Sequence, residues 1–396
     1  MNNERLVRPV WAEIHLDRLT HNMNEIRKHI PKNTQICAVI KANGYGHGAV
    51  HISRHLETIG VERMAVATLT EAIELRNAGY KKNLMVLGYT PDDSVVYAVE
   101  KEITLTIYTL DQAVALSKQA QARDKSAVVH IKLDTGMSRL GFQPNEESMK
   151  AILEIGKLEN IKIEGLYTHF AAADESDKKE ARIQMDRYHK FCHQLETEGL
   201  QIPIKHIANS AATMDMPETH LDMVRVGIMM YGLYPSEEVD HQNIQLKRVM
   251  ALKTKVAHVK EIEAGTGVSY GLTFRASQKM TIATLPIGYA DGFTRMLGEK
   301  ATVTIKGSEC PVVGRICMDQ CMIDVTGIEV KQDDEVLLYA LEEDQGKTVD
   351  EVARSLGTIN YEIVCMVGRR VPKVYILNDK IMESHDDLLE SCVDIF

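Results

Sequence analysis

The stretch Gln35-Ile36-Cys37-Ala38-Val39-Ile40-Lys41-Ala42-Asn43-Gly44-Tyr45-Gly46-His47-Gly48 joins an apolar run to a lysine and then to a turn punctuated by glycines. A run of this length bounded by glycines reads as a buried strand that ends in a loop. The same unit recurs down the chain. Val- and Ile-rich runs near 64–68, 83–88, 103–108, 127–134, 161–168, 203–207 and 223–228 bring the predicted strands to eight. They are apolar nearly throughout, as strands covered on both faces are. Amphipathic segments separate them, and the one over 71–78 has a capping box from Thr68 to Glu71 and a terminating Gly79. Strands and helices in this alternation predict an α/β fold, a closed (β/α)8 TIM-like barrel with its active site at the carboxyl ends of the strands. An open doubly wound sheet is the alternative. Its nucleotide-binding form needs Gly-x-Gly-x-x-Gly, which Gly44-Tyr45-Gly46-His47-Gly48 does not match.

Beyond about Leu246 the texture changes. Segments 252–262, 280–286, 301–305 and 312–325 cluster β-branched residues between glycine turns. They predict a mostly-β C-terminal domain with one helix over 349–356, opened by a capping box of Thr348 and Glu351. The short polar stretch 235–245 is the expected boundary. The barrel is accordingly assigned to 12–244 and the second domain to 245–396, joined by the N-terminal segment 1–11, with Trp11 packing that segment.

A chain of 396 residues exceeds one ordinary core and fits two or three domains. With 44% apolar and 26% charged residues it reads as soluble and globular. A net charge of -10 argues against nucleic-acid binding. No apolar stretch is long enough to cross a bilayer, and Met1-Asn2-Asn3-Glu4-Arg5 lacks the start of a signal peptide. Seven cysteines without framework spacing fit a reducing cytoplasm. Cys317 and Cys321 lack the second pair of a metal clip, and His47, His51 and His55 recur without a carboxylate, so no metal site is expected.

Polar groups gather where a barrel places its site. Lys41 and Tyr45 follow the first strand; Lys132-Leu133-Asp134-Thr135-Gly136-Met137-Ser138-Arg139 ends the fifth; His169 ends the sixth. Asn209-Ser210 ends the seventh and Arg225-Val226-Gly227-Ile228 the eighth. An amine at a strand end loses hydration, which lowers its pKa and suits it to carbonyl chemistry. Hydroxyls and free N–H groups after strands seven and eight are where barrels hold a phosphate. A reactive lysine beside a phosphate cradle suggests pyridoxal 5'-phosphate.

The segment 38–48 resembles the cofactor-lysine signature of alanine racemases, and the likeness continues in family order through 133–141, 169–175, 206–212, 223–232, 268–271, 288–292, 314–320 and Ile359-Asn360-Tyr361. Ser138 stands where the family commonly has glycine, and Ile207 where alanine is frequent. The resemblance implies that Lys41 carries the cofactor and is one of two bases, with Tyr270 the other. It implies that Tyr45, Asn209, Ser210, Gly227, Ile228 and Tyr361 hold the phosphate end. Arg225 then meets the pyridine nitrogen, and His169 lies between Arg225 and the tyrosine base. Arg139 and the N–H of Met318 bind the substrate carboxylate, with Lys132, often carbamylated in the family, orienting Arg139. Asp174, Tyr289, Arg295, Arg315 and Ile359 resemble the substrate entryway.

The expected activity is two-base racemisation of L- and D-alanine in a homodimer that shares its sites between subunits, supplying D-alanine for peptidoglycan. Two bases on opposite faces remove and return the Cα proton directly. An arginine at the pyridine nitrogen keeps that nitrogen unprotonated, weakening the electron sink and discouraging transamination. The alternatives are a racemase of broader or different specificity, such as serine, and a non-catalytic pyridoxal-phosphate protein. The latter resemble the barrel alone, and related decarboxylases want an acidic residue where Arg225 stands.

Overall fold

The apolar runs become strands because Val, Ile, Leu and Met can bury both faces between a barrel interior and its helices, at roughly 1.5–3 kcal/mol per large side chain. The computed structural model describes residues 6–390; Cys392 and the segment 1–5 lie outside them. In chain order the first strands are β1 (Val10–His15), β2 (Gln35–Val39), β3 (Arg63–Val66), β4 (Asn83–Val86), β5 (Thr104–Ile107), β6 (Ala127–Lys132), β7 (Ile161–Tyr167), β8 (Ile204–His206) and β9 (Met223–Val226). Strands β2 to β9 form one eight-stranded sheet in the order β8-β7-β6-β5-β4-β3-β2-β9, every neighbouring pair parallel. Its edges close on each other: Asp222 N–H donates to the Lys205 carbonyl and Arg225 N–H to that of Ala208, each at 3.1 Å. That closure makes a TIM-like barrel and removes the open-sheet alternative. The helix Leu69–Asn77 has the capping box of Thr68 and Glu71 read from the sequence.

Strand β1 stays out of the barrel. It runs antiparallel to Met250–Lys255 and parallel to Lys373–Leu377 within a seven-stranded sheet of the second domain. Residues 12–15 therefore pair with the C-terminal domain although the sequence reading places them in the barrel, and Trp11 on the same strand is buried. The domain also holds a three-stranded sheet, His258–Ile262 with Met280–Leu285 and Cys321–Asp324, and a short ribbon of Gly267–Val268 with Phe274–Arg275.

Two segments resolve more finely than the sequence reading, and one expectation is corrected. The run 252–262 is two strands, because the chain leaves one sheet at Lys255 and enters another at His258. Within 312–325 only Cys321–Asp324 is a strand; Val312 makes an isolated bridge, and the residues between form a loop turned by Gly314 at φ 71°. The second domain has more than the one expected helix, since Asn360–Met366 and the short Asp387–Glu390 join Val349–Leu356. Asn360–Met366 lacks a side-chain cap, so it carries no start signal in the sequence.

Candidate active site

A cavity of about 460 Å³ opens at the carboxyl ends of the barrel strands. It is lined by Lys41, Tyr45, Lys132, Arg139, His169, Asp174, Asn209, Ser210, Arg225, Gly227 and Ile228 from the barrel, with Tyr361 from the second domain. Twelve side chains or backbone positions singled out from the sequence thus meet in one place. Four are cations and Asp174 is the lone carboxylate among the lining residues, in a chain whose overall charge is negative.

Lys41 stands where β2 breaks into an unusual turn. Ala42, Asn43, Gly44 and Tyr45 all have positive φ, at 52°, 52°, 62° and 52°. L-residues resist this left-handed conformation by about 1–2 kcal/mol each, so the turn must be held from outside. Gly44 N–H donates to the Ile40 carbonyl at 2.9 Å, Ala49 N–H to Asn43 Oδ1 at 2.8 Å, and Ala42 N–H to Glu71 Oε1 at 2.6 Å. The Lys41 amine sits below its ordinary pKa, first through burial and then through the neighbouring Arg139 guanidinium.

Opposite the lysine lies a small cradle. Gly227 N–H donates to Ser210 Oγ at 3.0 Å, and a Cβ added at Gly227 would come within 2.7 Å of the Tyr45 hydroxyl. Ser210 and Ile228 open a helix and a 3₁₀ turn, so their N–H groups have no partner within those elements. Asn209 caps the first of these, its Oδ1 accepting from Ala212 N–H at 3.0 Å. Burial raises the pKa of both the Tyr45 and Tyr361 phenols, keeping them as O–H donors. Donors on all sides, no carboxylate among them and no room for a side chain at Gly227 suit a phosphate, and with Lys41 they fit pyridoxal 5'-phosphate.

Arg225 is buried with carbonyls and imidazoles for partners. Nη1 donates to His206 Nδ1 at 3.0 Å and to the His206 carbonyl at 3.1 Å, and Nη2 to the carbonyls of Thr168 at 2.8 Å and Ile207 at 3.2 Å and to His169 Nδ1 at 3.3 Å. Burial and this guanidinium hold His169 well below its usual pKa, so it is neutral. The cationic neighbours continue with Lys132, brought down to about 8 by burial and then by Arg139 and Arg225. Arg139 follows a turn in which Asp134 Oδ1 accepts from Gly136 N–H at 3.1 Å and Ser138 N–H at 2.9 Å.

Other expected residues stay away from this cavity. Ile359 is 59% exposed and lines a neighbouring cleft together with Asp174. Tyr270 is 70% exposed, Met318 51% and Tyr289 41%, and Arg295 and Arg315 are exposed as well. Tyr270, Tyr289, Arg315 and Met318 form a separate cluster on the second domain. Ser269 Oγ donates to the Arg315 carbonyl at 2.5 Å, Ala290 N–H to that of Met318 at 3.0 Å, and a Cβ at Gly271 would lie 3.0 Å from an Arg315 nitrogen. Ser269, just before Tyr270, has φ 64° and ψ -177°, a conformation nearly reserved for glycine.

Sequence reasoning overlooked Glu71 beyond its helix cap, and it gave His130, Glu164 and His206 no role. His130 and Lys132 lie two apart on β6 and so face the same side, which is the signal that would have placed His130 in the interior. Among the described residues no group of three or more His, Cys, Asp or Glu side chains is arranged to hold a metal ion, and no helix is long and apolar enough to cross a membrane.

A closed barrel with a lysine-bearing cationic pocket, backed by a mostly-β domain, defines a two-domain barrel enzyme. The chain belongs to the alanine racemase family: the family's N-terminal domain matches residues 14–235 and its C-terminal domain residues 249–375. It is 50% identical to an alanine racemase of Desulforamulus reducens over 93% of this chain and 99% of that one. The alanine racemase structure of Clostridium difficile superposes with a TM-score of 0.94 at 46% identity, covering 97% of this chain and 100% of that one. A histidine racemase of Leuconostoc mesenteroides matches with a TM-score of 0.87 at 27% identity, covering 95% of this chain and 100% of that one.

Proposed function

We propose that this chain interconverts L- and D-alanine with pyridoxal 5'-phosphate bound at Lys41, in a homodimer whose sites are each completed by the second domain of the other copy. The observation that carries this reading is the division of the chemistry: Lys41 lies in a cationic cavity, while Tyr270 stands 70% exposed on another surface of the same chain. Leu272, two residues after Tyr270, and Met318 are exposed large apolar residues of the same domain, of the kind that a subunit covers.

In this mechanism the cofactor, when bound, supplies the ring that draws electron density from the substrate Cα and makes its proton labile. Lys41, its amine depressed by burial, takes or returns that proton on one face. Tyr270 of the other copy does the same on the opposite face. Arg225 would face the ring nitrogen of the bound cofactor and, being a cation, would keep that nitrogen without a proton. His169 accepts from Arg225 through Nδ1, so its proton sits on Nε2, free to donate to the tyrosine oxygen and favour its ionised form. Tyr45, Tyr361, Ser210 and the N–H groups of Gly227 and Ile228 would hold the phosphate, with Asn209 fixing the Ser210 turn. Arg139 and the Met318 N–H receive the substrate carboxylate. Lys132 has a neutral fraction near pH 8 and so is able to add carbon dioxide, releasing one proton to leave an anionic carbamate that orients Arg139. Asp174 and Ile359, with Tyr289, Arg295 and Arg315 of the other copy, line the approach.

Substrate choice is a separate question, because one methylene or hydroxyl changes selectivity by only about 1–3 kcal/mol. A family relative that is named a histidine racemase supports testing beyond alanine. The test is a panel of L-alanine, L-serine and L-histidine scored by chiral chromatography with the cofactor-loaded protein. D-Alanine as the main product supports the proposal, and a different amino acid racemised faster overturns the substrate. A cytoplasmic enzyme supplying D-alanine to the cell wall is the biological role that this activity supports best.

A further inference from the structure

We propose that Glu71 is a positioning residue for Lys41, its carboxylate tying the left-handed turn after the lysine to the end of the neighbouring barrel strand. The inference rests on the reading of Lys41 as the cofactor-bearing lysine. Glu71 lies on another element, the helix Leu69–Asn77 that follows β3, and by sequence it is only the last residue of a capping box. A capping box needs one oxygen, directed at the Thr68 N–H. Here Oε2 accepts from Thr68 N–H at 3.1 Å and also from Ala67 N–H at 2.8 Å. The other oxygen leaves the helix altogether and accepts from Ala42 N–H at 2.6 Å.

Ala42 is the residue directly after Lys41 and the first of the four with positive φ. A turn of L-residues in this conformation does not sustain itself. One charged acceptor with both oxygens engaged therefore fastens the start of the strained turn to the β3 end, while Asn43 and Ile40 hold its far side. Only a carboxylate suits three backbone donors, because an amide would turn an NH2 group against one of them. Glu71 also lies near enough to Lys41 to oppose, as a negative charge, part of the effect of Arg139 on the amine.

Hydrogen–deuterium exchange on the full chain, without cofactor, separates this role from helix capping. Glu71→Gln is compared with Thr68→Ala, which breaks the same capping box but leaves the Glu71 bridge. The expected result is exchange at Gly44, Gly46 and Gly48 at least about tenfold faster in Glu71→Gln than in Thr68→Ala or the unchanged chain, with amides of the helix Leu69–Asn77 loosened no more in Glu71→Gln than in Thr68→Ala. Slower uptake of added pyridoxal 5'-phosphate, followed by absorbance, should accompany the faster exchange. Equal exchange at the glycines in both variants would overturn the proposal and leave Glu71 as a cap. Faster exchange with unchanged cofactor uptake would overturn the link to Lys41. If Glu71→Gln does not fold, Glu71→Asp, one methylene shorter, enters the same comparison. If the unchanged chain takes up no pyridoxal phosphate, the cofactor reading fails, and the exchange data still judge the clamp.

Discussion

Arg225 Nη1 donates to His206 Nδ1 across 3.0 Å, which leaves the imidazole's proton on Nε2. From there the direction of the whole buried chain follows. His206 Nε2 faces His130 Nδ1 at 2.8 Å, and His130 Nε2 faces Glu164 Oε2 at 3.1 Å, where Arg63 also donates at 2.8 Å. A guanidinium at one end and a carboxylate at the other orient two neutral imidazoles between them. In ¹⁵N NMR of histidine-labelled protein, His206 and His130 should both be neutral with the proton on Nε2 from about pH 6 upward. A protonated Nδ1 on His206 would contradict the donor direction.

Acidification should destabilise the fold before the carboxylates titrate. Burial holds His47 down at about 4, and His169 and His206 lie well below the ordinary 6.5. The unfolded chain therefore binds protons that the folded chain refuses. This stability is fully present above about pH 6.5 and is lost as pH falls toward about 4. Glu164, hydrogen-bonded to His130 and held at about 2, gives way only below that. Calorimetric Tm should fall steadily between pH 7 and 5, and a flat Tm over this range would count against the buried neutral histidines.

Lys41→Ala and Tyr270→Phe should each lower racemisation by about 10²–10⁴-fold, the range for loss of a general base. The first should also abolish the absorbance of covalently held cofactor. The second should retain that absorbance and lose α-hydrogen exchange chiefly from the enantiomer that presents its proton to the phenol. Exchange with solvent deuterium, measured from each enantiomer, distinguishes them.

Mixing these two impaired variants tests the shared site. In a heterodimer one site combines both lesions, whereas the other pairs an intact Lys41 with an intact Tyr270. Co-expression should restore about one functional site per heterodimer, assayed after separation on two affinity tags. No recovery would mean that both residues serve the same chain's site.

Ser138 occupies a position with φ 56° in the turn that presents Arg139. Glycine adopts this conformation without steric cost, although it gives up more entropy on folding. Ser138→Gly should leave activity unchanged and raise stability by up to about 1 kcal/mol, read as a shift in denaturation midpoint. A loss of stability would show that the serine makes compensating contacts.

Most of the barrel was legible from the chain. Its eight strands were found to within two residues because parallel strands buried on both faces are continuous apolar runs, and their polar ends marked the cavity. Local chemistry also revealed the helix caps at Thr68 and Thr348, since a capping box spans only four residues. Elsewhere, distance in the sequence hid the answer. Nothing in Val10–His15 tells that it inserts between Met250–Lys255 and Lys373–Leu377, because its partners lie more than two hundred residues away. Nor does periodicity reveal that Glu71 serves Ala42, that His206 donates to His130 and His130 to Glu164, or that Lys41 lines the cavity while Tyr270 stands exposed outside it. Residue types and short-range spacing are written in the sequence; which oxygen meets which distant N–H is decided only when the barrel closes and the second domain packs behind it.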